Sequence, residues 1–181
     1  MQNVKSVAIF CGSKSGKNPL FFEHATQLGL LLSKKNIKII YGGGGVGLMG
    51  AIATATMQNG GHITGIIPKL LVEWEQQHNE ISELIIVDNM HVRKRLIYEK
   101  SDAVIILPGG NGTLDELFET ITWNTLKIHA LKVFILNTDG FYTHLLNHLD
   151  KMFTEGFLYD DWRSKIVVCN NPIEIIEGLD T

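Results

Sequence analysis

Short apolar runs rich in β-branched residues alternate along this chain with longer stretches whose apolar residues recur at a helical period. Val4–Phe10 reads as a first strand and opens into a turn, Cys11–Gly16. Pro19 to Lys34 reads as a helix, with Leu20, Ala25, Leu28 and Leu32 near one face. Ile37–Tyr41 is a second strand and runs into Gly42–Gly47; Leu48–Gln58 is a small-residue helix stopped by Gly60 and Gly61. Ile63–Ile67 is a third strand closed by Pro68, and the charged segment Lys69–Glu83 reads as a loop with a short helix. Strand Leu84–Val87 and helix Met90–Lys100 follow, then strand Ala103–Leu107, which stops at Pro108. The rest reads as helix Thr113–Lys127, strand Lys132–Leu136, helix Phe141–Thr154, strand Ile166–Val168 and helix Pro172–Gly178.

Val104-Ile105-Ile106-Leu107 and Val133-Phe134-Ile135-Leu136 are unbroken apolar runs. Strands read this way when both faces are covered, which implies a parallel sheet between helix layers. The β–α alternation therefore predicts an α/β fold, a doubly wound and mostly parallel sheet in a single domain over residues 1–181. Such sheets bind ligands beyond the carboxyl ends of their strands, at the switch point. Three predicted strands end there in short polar or glycine-rich loops: Cys11-Gly12-Ser13, Gly42–Gly47 and Pro108–Thr113.

Composition narrows the classes. With 181 residues, 45% of them hydrophobic and 19% charged, the chain is globular and not disordered. A net charge of −3 supplies no basic field for nucleic acid, and no polybasic run points to a membrane surface. No stretch approaches the roughly 18 apolar residues of a membrane span. Two cysteines, Cys11 and Cys169, make no disulfide framework, and no secretory leader is visible, so a reducing cytoplasm is the expected compartment. Glycine is the informative excess: of 18 residues, nine lie in 42–50 and 109–112.

Gly42-Gly43-Gly44-Gly45-Val46-Gly47-Leu48-Met49-Gly50 lies between a strand and a helix. Glycine there permits positive φ and lets backbone N–H groups approach an anion, with the helix terminus behind them adding partial positive charge. Pro108-Gly109-Gly110-Asn111-Gly112-Thr113 repeats that placement and adds a hydroxyl. Together the two loops point to a phosphate or nucleotide; the plain alternative is a pair of tight turns that need glycine for geometry alone. Gly45-x-Gly47-x-x-Gly50 fits the dinucleotide pattern, yet it follows the second strand, and Ile66-Ile67-Pro68 brings no acid for a ribose diol. No Gly-Lys-Ser/Thr follows either loop, so ATP hydrolysis is not expected.

Met90-His91-Val92-Arg93-Lys94-Arg95 opens the helix before the fifth strand, and Arg93 offers a planar fork for phosphate or ribose oxygens. Thr113-Leu114-Asp115-Glu116 opens the helix after the second glycine loop. Thr-x-x-Glu is a capping box, so Glu116 has a structural reading beside a chemical one. A carboxylate next to an anion-binding loop is also placed to act on a sugar attached to that anion. His144 and His148, four apart, have no third ligand in view and read as helix surface rather than metal site. Cys11 is placed to line the site, without a base to make it a nucleophile.

With these residues in place the chain resembles the LOG ("lonely guy") family of cytokinin riboside 5′-monophosphate phosphoribohydrolases. The family's P-G-G-x-G-T-x-x-E stands as Pro108–Glu116 and its M-H-x-R-K as Met90–Lys94. Cys11-Gly12-Ser13, Tyr41–Gly44, Gly47–Gly50, Ile67-Pro68-Lys69, Ile121-Thr122-Trp123 and Glu155-Gly156-Phe157 extend the likeness over nearly the whole chain. The resemblance implies a Rossmann-like fold, usually a homodimer, and hydrolysis of the N-glycosidic bond of adenine-type nucleoside monophosphates, with no metal or cofactor. It implies catalytic roles for Arg93 and Glu116. It places Lys94, Gly109, Gly110, Gly112, Thr113 and Thr122 on the nucleotide, with Glu75 if the loop after Pro68 keeps its length. Ser13, Gly43, Gly44, Met90 and Asn111 complete the candidate binding set. Asn111 stands where plant members commonly have tyrosine and Asp115 where they have glutamate, which bears on substrate preference. Some members have carried a lysine decarboxylase label, for which no residue set here points to pyridoxal phosphate. The alternative reading is a non-catalytic carrier of a nucleotide or of molybdenum cofactor.

Overall fold

A computed structural model of the chain describes residues 4–72, 77, 78 and 80–181. Seven strands form one sheet: β1 (Ser6–Phe10), β2 (Lys38–Tyr41), β3 (Ile63–Pro68), β4 (Glu83–Val87), β5 (Ala103–Ile106), β6 (Lys132–Leu136) and β7 (Ile166–Cys169). Every pairing is parallel, in the order β4-β3-β2-β1-β5-β6-β7. Six helices connect or follow them: α1 (Pro19–Lys34), α2 (Gly47–Gln58), α3 (Met90–Glu99), α4 (Asn111–Thr125), α5 (Thr143–Thr154) and α6 (Pro172–Leu179). This is a doubly wound, Rossmann-like α/β fold, as the alternation of elements predicted.

The two layers follow from the pleat. Val7, Ile9 and Cys11 point into a core shared with α1, α2 and α6. Ala8 and Phe10, one residue out of phase, join α3, α4 and α5 on the other face. Ala103 to Leu107 are all fully buried, which explains why that run carries no polar position. Each fully buried Ile or Leu contributes about 1.5–3 kcal/mol, far more than any surface ion pair here. At the β1–β5 boundary the strand order reverses, because α3 carries the chain from edge strand β4 back to the sheet centre. The ladder continues past both strands: Leu107 N–H donates to the Phe10 carbonyl (2.9 Å) and Gly12 N–H to the Pro108 carbonyl (3.0 Å).

Asparagine side chains cap three helices, Asn18 before α1, Asn89 before α3 and Asn171 before α6. The α4 start differs from expectation. The helix begins at Asn111, two residues earlier than Thr113, with Gly110 in an extended N-cap conformation and no side-chain cap. Thr113 is therefore inside the first turn, and no capping box joins it to Glu116.

His24 and His129 are part-buried with neutral-favouring surroundings. His24 Nδ1 lies 2.8 Å from Thr138 Oγ1, and His129 Nδ1 2.7 Å from Asn124 Oδ1. Desolvation pulls both rings below the ordinary 6.5, against opposing carboxylates. The unfolded chain therefore takes up these protons more readily, so stability falls as pH drops below about 6.5. The melting temperature is expected to decline between pH 7 and 5.5, and His24→Asn/His129→Asn to flatten that decline. An unchanged slope in the double variant would contradict the assignment.

Candidate active site

A cleft of about 600 Å³ opens at the carboxyl edge of the sheet, over the β1–β5 boundary. That volume lies within the range of small-molecule sites. Its floor is two loops in van der Waals contact. A Cβ on Gly12 would lie 3.4 Å from Gly109 Cα, and a Cβ on Gly109 would lie 2.1 Å from Thr113 Oγ1. At position 109 only glycine lets the loops meet and lets the buried Thr113 side chain tuck beneath it.

Gly110 and Gly112 behave differently. Neither has positive φ, and a Cβ on either meets no protein atom within 4 Å. Both line the cleft. Neither turn geometry nor internal packing explains these two glycines, and both leave the backbone open to the cleft. The first intrahelical bond of α4 runs from Leu114 N–H to the Gly110 carbonyl (3.1 Å). The amides of Asn111, Gly112 and Thr113 thus have no partner within the helix, and they stand at the positive end of its dipole.

Arg93 and Glu116 both line this cleft. Arg93 is on the second turn of α3 and only 5% exposed. Its Nη2 donates to the Gly42 carbonyl (3.4 Å), and its Nη1 reaches the Met90 sulfur (3.7 Å). A Cβ on Gly42 would sit 2.2 Å from Nη2, so this glycine makes the room the guanidinium occupies. Glu116 is on the second turn of α4, half-buried.

The remaining candidates divide. Ser13, Met90, Gly109, Gly110, Asn111, Gly112 and Thr113 all line the cleft, as does Cys11. Gly43 and Gly44 do not: the Gly43 carbonyl accepts from His78 N–H (3.1 Å), and Gly44 bridges to Gln77. Gly47, at φ +61°, abuts the Ser13 and Lys14 backbone, and Gly50 faces the Gly45 carbonyl. Geometry and packing therefore account for most of this loop, and only Gly42 of residues 42–47 reaches the cleft. Lys94 is likewise outside the lining; its ammonium pairs with Asp115 (2.7 Å) and Glu119 (3.3 Å). Burial works against that charge, but the two carboxylates prevail and raise its pKa above the ordinary lysine value. Thr122 lies on the exposed side of α4, lining a second, apolar cavity beside α5. Glu75 lies outside the described residues. His144 and His148 are exposed on α5.

Sequence reasoning missed Phe21 and Phe141, which meet edge-to-face (5.4 Å) at the cleft wall. They lie 120 positions apart and come together through the start of α1 and the segment before α5. Lys14, Met49 and Leu71 also line the cleft. The one available signal was the rule that loops beyond a switch point build the site.

An open parallel sheet with an uncapped helix terminus, a buried arginine and a carboxylate at its switch point defines a nucleotide-type α/β protein. Comparison with known proteins agrees and goes further. A family model described as "Possible lysine decarboxylase" matches residues 49–179. Over 176 residues the chain is 45% identical to cytokinin riboside 5′-monophosphate phosphoribohydrolase LOG7 of Arabidopsis thaliana, covering 97% of this chain and 81% of that protein. It is 44% identical over 184 residues to LOG2 of the same plant, covering 99% and 86%. It is 44% identical over 176 residues to the probable enzyme LOGL2 of Oryza sativa, covering 97% and 72%. The chain belongs to the LOG family. Among solved structures, the protein TM1055 superposes with a TM-score of 0.74 at 21% identity, covering 97% and 98% of the two chains. The molybdenum cofactor carrier protein of Chlamydomonas reinhardtii does so at 0.73 and 15%, covering 97% and 95%. These likenesses share the fold.

The two kinds of glycine make a paired prediction. Gly42→Ala is expected to displace Arg93 and abolish turnover of the substrate proposed below. Gly112→Ala is expected to leave the melting temperature unchanged or raised by up to about 1 kcal/mol equivalent, since alanine favours helix, while KM rises. A destabilised Gly112→Ala would show that the glycine serves the fold.

Proposed function

We propose that the protein hydrolyses the N-glycosidic bond of adenine-type nucleoside 5′-monophosphates, AMP or N6-modified AMP, releasing free base and ribose 5-phosphate. The names of relatives 42–45% identical over nearly the full chain support this reaction. The observation that carries it is the convergence of the α4 amides, Arg93 and Glu116 in one cleft.

The 5′-phosphate lies on the amides of Gly110 to Thr113, where dipole and unpaired N–H groups act together. The ribose then extends toward Arg93 and Glu116. As the bond from C1′ to the base lengthens, positive charge develops on the sugar ring, as in glycoside cleavage generally. The Glu116 carboxylate stabilises that charge and orients the water that adds to C1′; the departing base takes up a proton. Arg93, held by Gly42, positions the phosphoribosyl group. A positioned acid or base contributes typically 10²–10⁴-fold.

Glu116→Gln is expected to lower kcat for base release from AMP or N6-isopentenyl-AMP by at least about 10²-fold, with the melting temperature unchanged. Chromatography of the released base measures the first and calorimetry the second. Retained activity with lowered stability would return Glu116 to a structural role. Tight nucleotide binding by the wild-type protein without turnover would favour the carrier reading.

A homodimer completes the proposal. Leu126, Phe157 and Tyr159 are 63–92% exposed around the second cavity, an apolar patch of the kind that marks an interface. Thr122 would then lie at the subunit contact. Phe157→Glu/Tyr159→Glu is expected to sediment as a monomer where the wild type sediments as a dimer; a wild-type monomer would contradict it. A cytoplasmic location accords with the two buried free cysteines. Among the described residues no helix is long and apolar enough to cross a membrane. The acidic net charge likewise favours a small-molecule partner over nucleic acid.

A further inference from the structure

Arg93 and Glu116 come from different helices, so their alignment depends on what locks α3 to α4. Their immediate chain neighbours are joined: Lys94 Nζ pairs with Asp115 Oδ2 at 2.7 Å. One turn further along α4, Glu119 Oε1 lies 3.3 Å from the same ammonium. Glu119 Oε2 in turn lies 3.2 Å from the hydroxyl of Tyr98, one turn beyond Lys94 on α3. That hydroxyl is also 3.2 Å from the main-chain carbonyl of Glu116 itself. Thr120 Oγ1 lies 3.1 Å from the Tyr98 hydroxyl and 2.7 Å from the Glu116 carbonyl. Each hydroxyl has one hydrogen. The satisfied arrangement has Tyr98 donating to the Glu119 carboxylate and Thr120 to the Glu116 carbonyl.

The network is sheltered at Lys94, Glu119 and Tyr98, while the Asp115 side chain is 64% exposed. The Lys94 side chain is 14% exposed and that of Glu119 20%, while Tyr98 is 5% exposed and packed edge-on against Phe10 (5.9 Å). The Lys94–Glu119–Tyr98 side is stiff because breaking it strands a charge away from water, and the exposed Asp115 adds a second contact to the same ammonium. Isolated surface pairs such as Lys151–Glu155 have no such leverage.

Resting on the reaction proposed above, we infer that Lys94, Asp115, Glu119 and Tyr98 form a clamp that sets the register of α3 against α4, holding Arg93 and Glu116 in catalytic alignment. In this assignment Lys94 is a positioning residue and not a ligand of the nucleotide phosphate. To reach a phosphate its ammonium would have to leave two carboxylates. The adjacency is the mechanism: Lys94 follows Arg93 and Asp115 precedes Glu116, so the two ion pairs of Lys94, with the Tyr98 hydroxyl against Glu119 and the Glu116 carbonyl, tie the two helices at the residues that matter. Misplacement of reacting groups by about 1 Å costs on the order of 10²-fold.

The test compares wild type, Lys94→Met, Lys94→Arg and Tyr98→Phe. The readouts are kcat for base release from AMP and Kd for ribose 5-phosphate, which contains the phosphate and sugar but no bond to cleave. Lys94→Met and Tyr98→Phe are expected to lower kcat on the order of 10-fold or more. Their Kd for ribose 5-phosphate should stay within about threefold of wild type. Lys94→Arg should restore most of kcat. A Lys94→Met protein with near-normal kcat at saturation but Kd weakened about 30-fold or more would make Lys94 a phosphate ligand and overturn the clamp. Unchanged kcat in both Lys94→Met and Tyr98→Phe would overturn it as well. Should Lys94→Met fail to fold, Tyr98→Phe, which removes one hydroxyl and no charge, decides alone. The two proposals separate on the wild type. Absence of base release from AMP and N6-isopentenyl-AMP defeats the reaction and the clamp with it, whereas wild-type turnover retained in the variants defeats the clamp only.

Discussion

An arginine with one-twentieth of its surface exposed is costly to keep at the mouth of an apolar sheet, and much of the site is arranged to keep it there. Gly42 has no side chain because Arg93 occupies the space, and its carbonyl accepts from that guanidinium. Asn89 caps the helix that delivers Arg93, and α3 itself exists to return the chain from β4 to β5. That crossover creates the strand reversal between β1 and β5, and the reversal creates the crevice. Fold, turn and cation are therefore one constraint seen at three scales.

Beneath the cation the two central loops meet through Gly12 and Gly109, and at Gly109 there is no room for a side chain. That meeting brings the α4 terminus to the crevice and buries Thr113 below it. Glycine has two distinct meanings in this chain. At Gly47, Gly50 and Gly109 a side chain would strike protein, so the fold requires its absence, and at Gly42 it would strike the Arg93 guanidinium. At Gly110 and Gly112 a side chain would strike nothing, and both leave the backbone open to the cleft.

That distinction marks how far the sequence could be read. All seven strands and six helices were legible, because unbroken runs such as Val104–Leu107 report burial on both faces and glycine or proline punctuates their ends. The switch-point location of the cleft followed from the same alternation; residue type offered Arg93 as a donor fork and left Glu116 between cap and carboxylate, and their pairing came from the resemblance. The α4 start was not legible. Thr113-x-x-Glu116 satisfies a capping box locally, but the helix starts two residues earlier, at Asn111, with the extended Gly110 as its N-cap. The run Gly42–Gly47 looked like a second anion cradle, yet its partners, His78, Gln77 and the Ser13 backbone, are distant in sequence. Lys94 reads as a free cation beside Arg93 until α4 is folded against it. Phe21 and Phe141 carry no local signal at all.

The central claim is that the α4 amides hold a 5′-phosphate while Arg93 and Glu116 flank the sugar. A crystal structure of the Glu116→Gln protein with AMP tests it most directly. The account predicts phosphate oxygens at about 2.7–3.2 Å from backbone nitrogens among residues 110–113, with the ribose between residues 93 and 116. Phosphate seated instead on Lys94 or on the Gly43-Gly44 segment, or a ribose turned away from residue 116, would contradict it.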